Sequence, residues 1–202
     1  MSRLLSLNDK VKLIAEYTHN NMGDDPVHGW PHVERVAGYS EVLLERTHAD
    51  VDEEVLALSV ILHDIGRSYK SEAHHAITGS KIARILLKGL GYNDRIIDEV
   101  THAILAHSYS LGIKARTMEA KILSDADKLD ALGAIGIFRV IYESGRRGRG
   151  IDGTLKHFRD KILRLLDHFY LKESRSLALE LHRRVELYAS WLSEELDFLG
   201  LR

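Results

Sequence analysis

The chain has 202 residues, of which 45% are apolar and 29% charged; this composition is typical of one globular domain and excludes fibrous and intrinsically disordered proteins. Its 28 basic and 30 acidic side chains give a net charge of -2, which excludes a strong overall attraction to nucleic acid or to an anionic membrane. Because cysteine is absent, disulfides, thiolate metal sites and cysteine nucleophiles are excluded, and the twelve histidines stand out as carriers of chemistry.

Helical periodicity dominates the chain beyond its two prolines and predicts an all-α fold. One helix is expected to begin at Pro31, since the fixed φ of proline suits the first helical position. The segment 51–65 is apolar on several faces, which predicts a helix in the centre of the fold that Gly66 ends. In chain order the predicted helices are 4–17, one from 31, 51–65, 77–88, 94–107, 118–134, 135–143, 155–171 and 174–199.

A stretch rich in glycine and arginine, 144–153, precedes the last two long helices. Glycines permit motion and arginines supply fork-shaped donors, so this loop could close over a polyphosphate through Arg146 and Arg147. It could equally be a solvated connector. Aromatic residues interleaved with the basic ones, which binding of single-stranded nucleic acid favours, do not occur in it.

The pair His63-Asp64 lies at the end of the most apolar predicted helix, where two ionisable side chains are costly to bury without partners. Hydrogen bonds at a helix end would satisfy them, and so would a metal ion shared with His32 and Asp127 in an antiparallel bundle. Two imidazoles and two carboxylates suit octahedral Mn, Fe, Co or Ni better than Zn or Mg. Helical geometry alone leaves open whether Asp125 or Asp127 is the ligand, because the two point in about opposite directions.

Three segments resemble the motifs of the HD-domain metal-dependent phosphohydrolases, a His, then a His-Asp pair, then a distant Asp. They are 28–36 (HGWPHVERV), 61–67 (ILHDIGR) and 125–131 (DADKLDA). The likeness continues into the final helix, as in a stand-alone bacterial and archaeal branch of the family. It implies a single HD-domain helical bundle over 1–202 with a long C-terminal helix. In that bundle the metal core lies at roughly 28–134, and the C-terminal helices at 154–199 pack on it.

The resemblance also implies a metal site and a reaction. Carried over motif by motif, the ligands of one divalent ion are His32, His63, Asp64 and Asp127. The implied activity is hydrolysis of a phosphoester or phosphoanhydride bond in a nucleotide, by attack of a metal-bound water. Some family members hold a second metal through two further histidines, here His75 and His107. We prefer a role for this pair in binding substrate around a single metal.

Other residues of the motifs are candidates for catalysis and substrate binding. Asp64, Glu72 or Asp130 could orient or deprotonate the attacking water. Family members often place a carboxylate shortly after the His-Asp pair, where this chain has Arg67, so the general acid is unassigned. Arg67 is the first choice for contacting phosphate. The other candidates for substrate binding are Arg35, His75, His107, Lys128, Arg146 and Arg147.

A rival interpretation is a non-catalytic HD module that senses a nucleotide or a metal. The intact ligand motifs favour the enzyme. The expected partner is a small phosphate compound, a nucleotide, and nucleic acid is disfavoured. No apolar stretch approaches the roughly 18 residues that cross a bilayer, so we expect a cytoplasmic protein without membrane contact, and the sequence leaves room for a homo-oligomer.

Overall fold

The computed structural model describes residues 2–48 and 50–201, which are helical with no strand in these ranges, and the predicted all-α fold is confirmed. The chain divides into two compact units, Met1–Asp127 and Lys128–Arg202. The α-helices of the described residues are α1 (Asp9–Met22), α2 (Trp30–Thr47), α3 (Glu53–Leu62), α4 (His75–Gly89), α5 (Asp94–His107), α6 (Met118–Asp130), α7 (Gly133–Arg146), α8 (Ile151–His157) and α9 (Lys172–Phe198). None of them is both long and apolar enough to cross a bilayer.

Helix α3 is the centre of the first unit, and it packs against α1, α2 and α5. All of its residues from Val55 to Leu62 are buried, as its continuous apolar sequence predicts. Its N-terminus is fixed by Asp52, whose side chain accepts hydrogen bonds from the backbone N–H groups of Glu54 and Val55. The helix therefore delivers its C-terminal end, with the His-Asp pair that follows, to a buried position.

Gly66 has a different role from the predicted one. Helix α3 already ends at Leu62, and Gly66 lies in a short 3-10 helix, Ile65–Ser68, that packs against α4. A Cβ on Gly66 would run into the carbonyl oxygen of His75 and would lie 2.6 Å from the backbone nitrogen of Gly79. Glycine is needed here because the backbones of the 3-10 helix and of α4 touch, and this contact fixes the start of α4 beside the end of α3.

In the second unit the prediction of one continuous helix at 155–171 is wrong. The segment consists of the end of α8, a π-helix (Phe158–Ile162) and a 3-10 helix (Leu163–His168). Within this segment the carbonyl oxygen of Leu163 accepts a hydrogen bond from His182 Nε2 of α9 at 2.9 Å. The His182 side chain thus hydrogen-bonds a backbone carbonyl at the point where the π-helix gives way to the 3-10 helix. Side chains that insert into the helical hydrogen-bond pattern are a known cause of such irregular turns.

Helix α9 packs on α7 and α8 through one face. The buried residues of that face recur with helical spacing: Ser174, Ala178, His182, Val185, Ala189 and Leu196. The packing of the helices at 154–199 on residues 28–134, as parts of one domain, stays a prediction.

The close backbone contact at Gly66 predicts that Gly66→Ala is destabilising. The added methyl group meets backbone atoms, which cannot rotate away, so we expect a loss of about 1–3 kcal/mol and a Tm lower by roughly 2–10 °C in thermal denaturation followed by circular dichroism. The matched control is Gly38→Ala in α2, where nothing lies within 4 Å of the new Cβ and a gain of about 0.5–1 kcal/mol is expected. Equal changes in Tm for the two variants would contradict the close contact.

Candidate functional site

His63 and Asp64 follow the last residue of α3 and are both buried. His63 Nδ1 donates a hydrogen bond to the carbonyl oxygen of Val60 at 2.8 Å, which places the proton on Nδ1 and leaves the lone pair on Nε2. Burial lowers the pKa of His63 to about 4, so its imidazole is neutral at pH 7. A neutral imidazole with an inward lone pair is the form that binds a cation.

The four residues that the motifs predict as metal ligands lie together in the first unit. His32, in the first turn of α2, places its Nε2 3.1 Å from His63 Nε2 and 3.4 Å from Asp127 Oδ1. Asp64 Oδ2 lies 3.9 Å from the Nε2 atoms of both histidines. Of the two aspartates that helical geometry left open, Asp127 is the one that faces His32. Burial would raise the pKa of Asp127, but the hydrogen bond and charge of His32 hold that pKa well below its usual range.

The second oxygen of Asp64 faces two further histidines. Asp64 Oδ1 lies 3.3 Å from His75 Nε2, at the start of α4, and 3.7 Å from His107 Nε2, at the end of α5. His107 Nδ1 donates to the carbonyl oxygen of Ile104 at 2.6 Å, so Nε2 is the nitrogen that carries the lone pair of the neutral ring. Among the residues that the structure describes, none donates a hydrogen bond to the buried Asp64 Oδ1.

Arg67, in the 3-10 helix, connects these groups. Its Nε donates to Asp64 Oδ2 at 2.6 Å and its Nη2 lies 3.2 Å from His75 Nε2, which must accept because a guanidinium has no acceptor. Burial, and then the charge of Arg67, lower the pKa of His75 to about 3 against the opposite effect of Asp64. Burial would raise the pKa of Asp64, but the charge of Arg67 lowers it, so the carboxylate stays charged.

The donor atoms of this site suit a divalent cation. They form two groups, His32–His63–Asp127 and His63–Asp64–His107, and the ligand atoms within each lie within 4.8 Å of one another. The lone pair of the neutral His63 imidazole and the carboxylate oxygens of Asp64 repel each other at such distances, and a cation between them turns this repulsion into attraction. The unpaired Asp64 Oδ1 supports the same assignment, because a buried charged acceptor is costly without a partner. These residues could therefore hold a metal ion, with nitrogen and oxygen ligands.

His28 belongs to the site although sequence reasoning gave it no role. Its Nδ1 lies 3.8 Å from Asp64 Oδ2, and this buried atom has no hydrogen-bond partner among the described residues. The residue lies in a turn before α2, where the carboxylate of Asp25 accepts a hydrogen bond from the backbone N–H of His28. The available signal was its position four residues before His32, which the motif includes.

Two other predicted residues of the first unit are placed differently. Glu72 lies on an exposed segment between the 3-10 helix and α4. Arg35 of α2 is half-buried, and its Nη2 donates to the carbonyl oxygen of Pro26 at 3.0 Å. Their roles as base and phosphate contact stay predictions.

The remaining predicted residues belong to the second unit, where each contacts a side chain of that unit. Lys128 is buried with its Nζ over the rings of Phe169 and Tyr170, and Asp130 accepts from Arg139 at 2.6 Å. Arg146 lies over the ring of Tyr142, and Arg147 pairs with Glu143. The predicted loop is short, because α7 continues to Arg146 and α8 begins at Ile151. A lid over substrate stays a prediction.

Known proteins resemble this chain over most of its length. The HD domain family matches residues 29–132. YpgQ of Bacillus subtilis strain 168 is 28% identical over 175 residues, which are 84% of each chain. The crystal structure of Bacillus subtilis YpgQ in complex with ADP has a TM-score of 0.75 at 25% identity and covers 96% of this chain and 97% of that one. An HD-superfamily hydrolase from Bacillus thuringiensis has a TM-score of 0.73 at 26% identity, covering 94% and 97% of the two chains.

The repulsion between the acceptors predicts that Mn²⁺ stabilises the protein. After treatment with a chelator, addition of Mn²⁺ at about 100 times its dissociation constant should contribute about 2.7 kcal/mol and raise the Tm by roughly 5–10 °C. The gain should be largely lost in Asp64→Asn. It should persist in Asp98→Asn, an exposed carboxylate paired with Arg84 outside the site. An equal gain in both variants would show that the stabilising cation binds elsewhere.

Proposed function

This chain belongs to the HD domain family, and on that premise we propose that it is a metal-dependent hydrolase that cleaves a phosphoester or phosphoanhydride bond in a nucleotide. The observation that carries the proposal is the convergence of imidazole nitrogens on the buried, charged Asp64. The two groups His32–His63–Asp127 and His63–Asp64–His107 share His63 and so comprise five side chains. These five and His75 lie inside the segment that matches the family. A bound divalent cation would polarise a phosphoryl oxygen and lower the pKa of a water molecule toward neutrality.

We propose that one cation is held, by His32, His63, Asp64 and Asp127. The side of Asp64 that faces His75 is less suited to a second cation, because Arg67 already occupies His75 Nε2 with a donor. A second cation there would also lie close to the guanidinium charge, and the two would repel each other. The mixture of two imidazoles and two carboxylates favours Mn, Fe, Co or Ni.

Arg67 is the residue that prepares the site. By holding Asp64 Oδ2 and His75 Nε2 at once, it fixes the orientation of two side chains before any ligand arrives. Its side chain is 35% exposed, so the guanidinium can also face an incoming phosphate. We assign it the positioning of Asp64 and the binding of a phosphoryl oxygen.

His28, His75 and His107 surround Asp64 and are proposed to contact the substrate. Each presents a ring nitrogen within 4 Å of one of the carboxylate oxygens of Asp64. Imidazoles at this distance from the cation ligands can position the phosphoryl group that is cleaved. The nucleotide as substrate is supported by the relative from Bacillus subtilis, whose structure contains ADP. Lys128, Arg146 and Arg147 remain candidates for contacting its phosphate chain.

The proposed activity predicts metal-dependent release of phosphate or pyrophosphate from a panel of ribo- and deoxyribonucleotides. Chelator should abolish turnover and Mn²⁺ should restore it. Asp64→Ala should lower kcat/KM by at least about 100-fold, the usual cost of removing one electrostatic group from an active site. Asp98→Ala, which removes an exposed carboxylate on α5, should retain the activity of the wild type.

The same assay distinguishes the rival function. Nucleotide binding in isothermal titration without turnover on any member of the panel, with any of the four metals, would contradict the hydrolase and support a sensor. Turnover that survives Asp64→Ala would contradict the assigned site.

The single-cation proposal predicts one equivalent of metal per chain by elemental analysis of the purified protein. His63→Ala should lose that metal, since His63 is shared by both acceptor groups. His107→Ala should keep it and raise KM about tenfold, the effect of roughly 1.4 kcal/mol of lost binding. More than one equivalent in the wild type, reduced by His107→Ala, would contradict the single cation.

A further inference from the structure

Helix α9 is apolar on two opposite faces. One is the buried face that packs within the second unit. On the other, Leu187, Trp191 and Phe198 lie within roughly 40° of one another at about 100° per residue. They are 52%, 58% and 89% exposed, respectively. Large apolar side chains gathered on one exposed stripe mark an interaction surface rather than chance scatter.

The charges beside this stripe are ordered along the helix. Arg183 and Arg184 precede Leu187 on the same exposed face, and Glu194 and Glu195 follow Trp191. The face thus changes from basic through apolar to acidic within about three turns. A surface with this order is complementary to itself when a second copy runs in the opposite direction.

We propose that α9 pairs with α9 of a second copy of this chain, antiparallel, about a two-fold axis at residue 189. This axis places Leu187 against Trp191 of the partner subunit, and Trp191 against Leu187 of the partner subunit. It also places Arg184 against Glu194 of the partner subunit and Arg183 against Glu195 of the partner subunit. Leu187 and Trp191 meet apolar groups, and each of the four charged residues meets its opposite, while Phe198 lies beyond these contacts at the height of Glu180 of the partner subunit.

Charge excludes the competing arrangements. A parallel pair in register would place arginine against arginine and glutamate against glutamate. An antiparallel pair centred between Glu194 and Glu195 would join Trp191 to Phe198 of the partner subunit, but it would oppose these two glutamates directly. Like charges in contact at an interface oppose association. The axis at 189 avoids both conflicts.

The contacts that these charged residues make within α9 do not prevent the pairing. Arg184 lies 2.6 Å from Glu180, and Glu194 accepts a hydrogen bond from Ser190. Such exposed contacts one turn apart contribute little to stability and are easily exchanged. A contact confined to one helix from each copy stays below the roughly 1,200 Å² of a standard interface, so we expect a reversible dimer with a dissociation constant in the micromolar range.

Sedimentation velocity over a range of concentrations tests the pairing. The wild type should change from monomer to dimer as its concentration rises. Trp191→Glu should raise the dissociation constant at least about 100-fold, since a central tryptophan is the usual hot spot of an interface. Ile85→Glu, which changes an apolar side chain that is 73% exposed on α4, should dimerise like the wild type. Far-ultraviolet circular dichroism and Tm establish that both variants are folded.

Charge reversal tests the register. Arg184→Glu alone and Glu194→Arg alone should each weaken the dimer about tenfold, because each puts like charges together at two symmetric positions. The double variant R184E/E194R should restore it, since both contacts form again with reversed sign. A wild type that is monomeric at all concentrations, a dimer indifferent to Trp191→Glu, or a double variant without recovery would each overturn the proposal.

Discussion

Asp64 Oδ1 lies 3.3 Å from His75 Nε2 and 3.7 Å from His107 Nε2, and neither nitrogen supplies a proton to this buried oxygen when the imidazoles are neutral. Folding has therefore collected acceptors around one negative charge, which is unfavourable unless a cation is added. Arg67 supplies a positive charge to the other carboxylate oxygen, Oδ2. Oδ1 is thereby left as the oxygen that a cation could contact. The packing of the rest of the first unit offsets the cost of holding these side chains together.

This packing depends on two features of the chain around α3. The helix is apolar on all sides, so burying it is favourable and offsets the cost of carrying His63 and Asp64 inward at its end. Gly66 then allows α4 to approach so closely that His75 comes within reach of Asp64 and Arg67. The site is thus built from helix ends, where side chains can converge without interrupting helical hydrogen bonds.

The sequence was sufficient for the helices with clear end signals and for the motif residues that lie together at the end of α3. Helix α5 has the predicted bounds because Asn93 caps its first turn and its apolar stripe ends at His107. The sequence was insufficient where a tertiary contact determines how a helix is rotated or where it is interrupted. The choice of Asp127 over Asp125 depends on how α6 is rotated toward His32, and the interruption after α8 depends on His182 reaching Leu163. The position of His28 beside Asp64 depends on the turn before α2, and helical periodicity in the sequence says nothing about the conformation of a turn.

The tautomers of the histidines connect the fold to the chemistry. His63 and His107 both direct Nδ1–H to a carbonyl three residues earlier in their own helices, so the helix that positions each ring also selects which nitrogen carries the lone pair. His75 is oriented differently, by the donor Nη2 of Arg67. The guanidinium places positive charge next to Asp64 and offers only hydrogen-bond donors to its neighbours. Arg67 thus orients two side chains of the site and keeps donors for the phosphoryl oxygen of the proposed substrate.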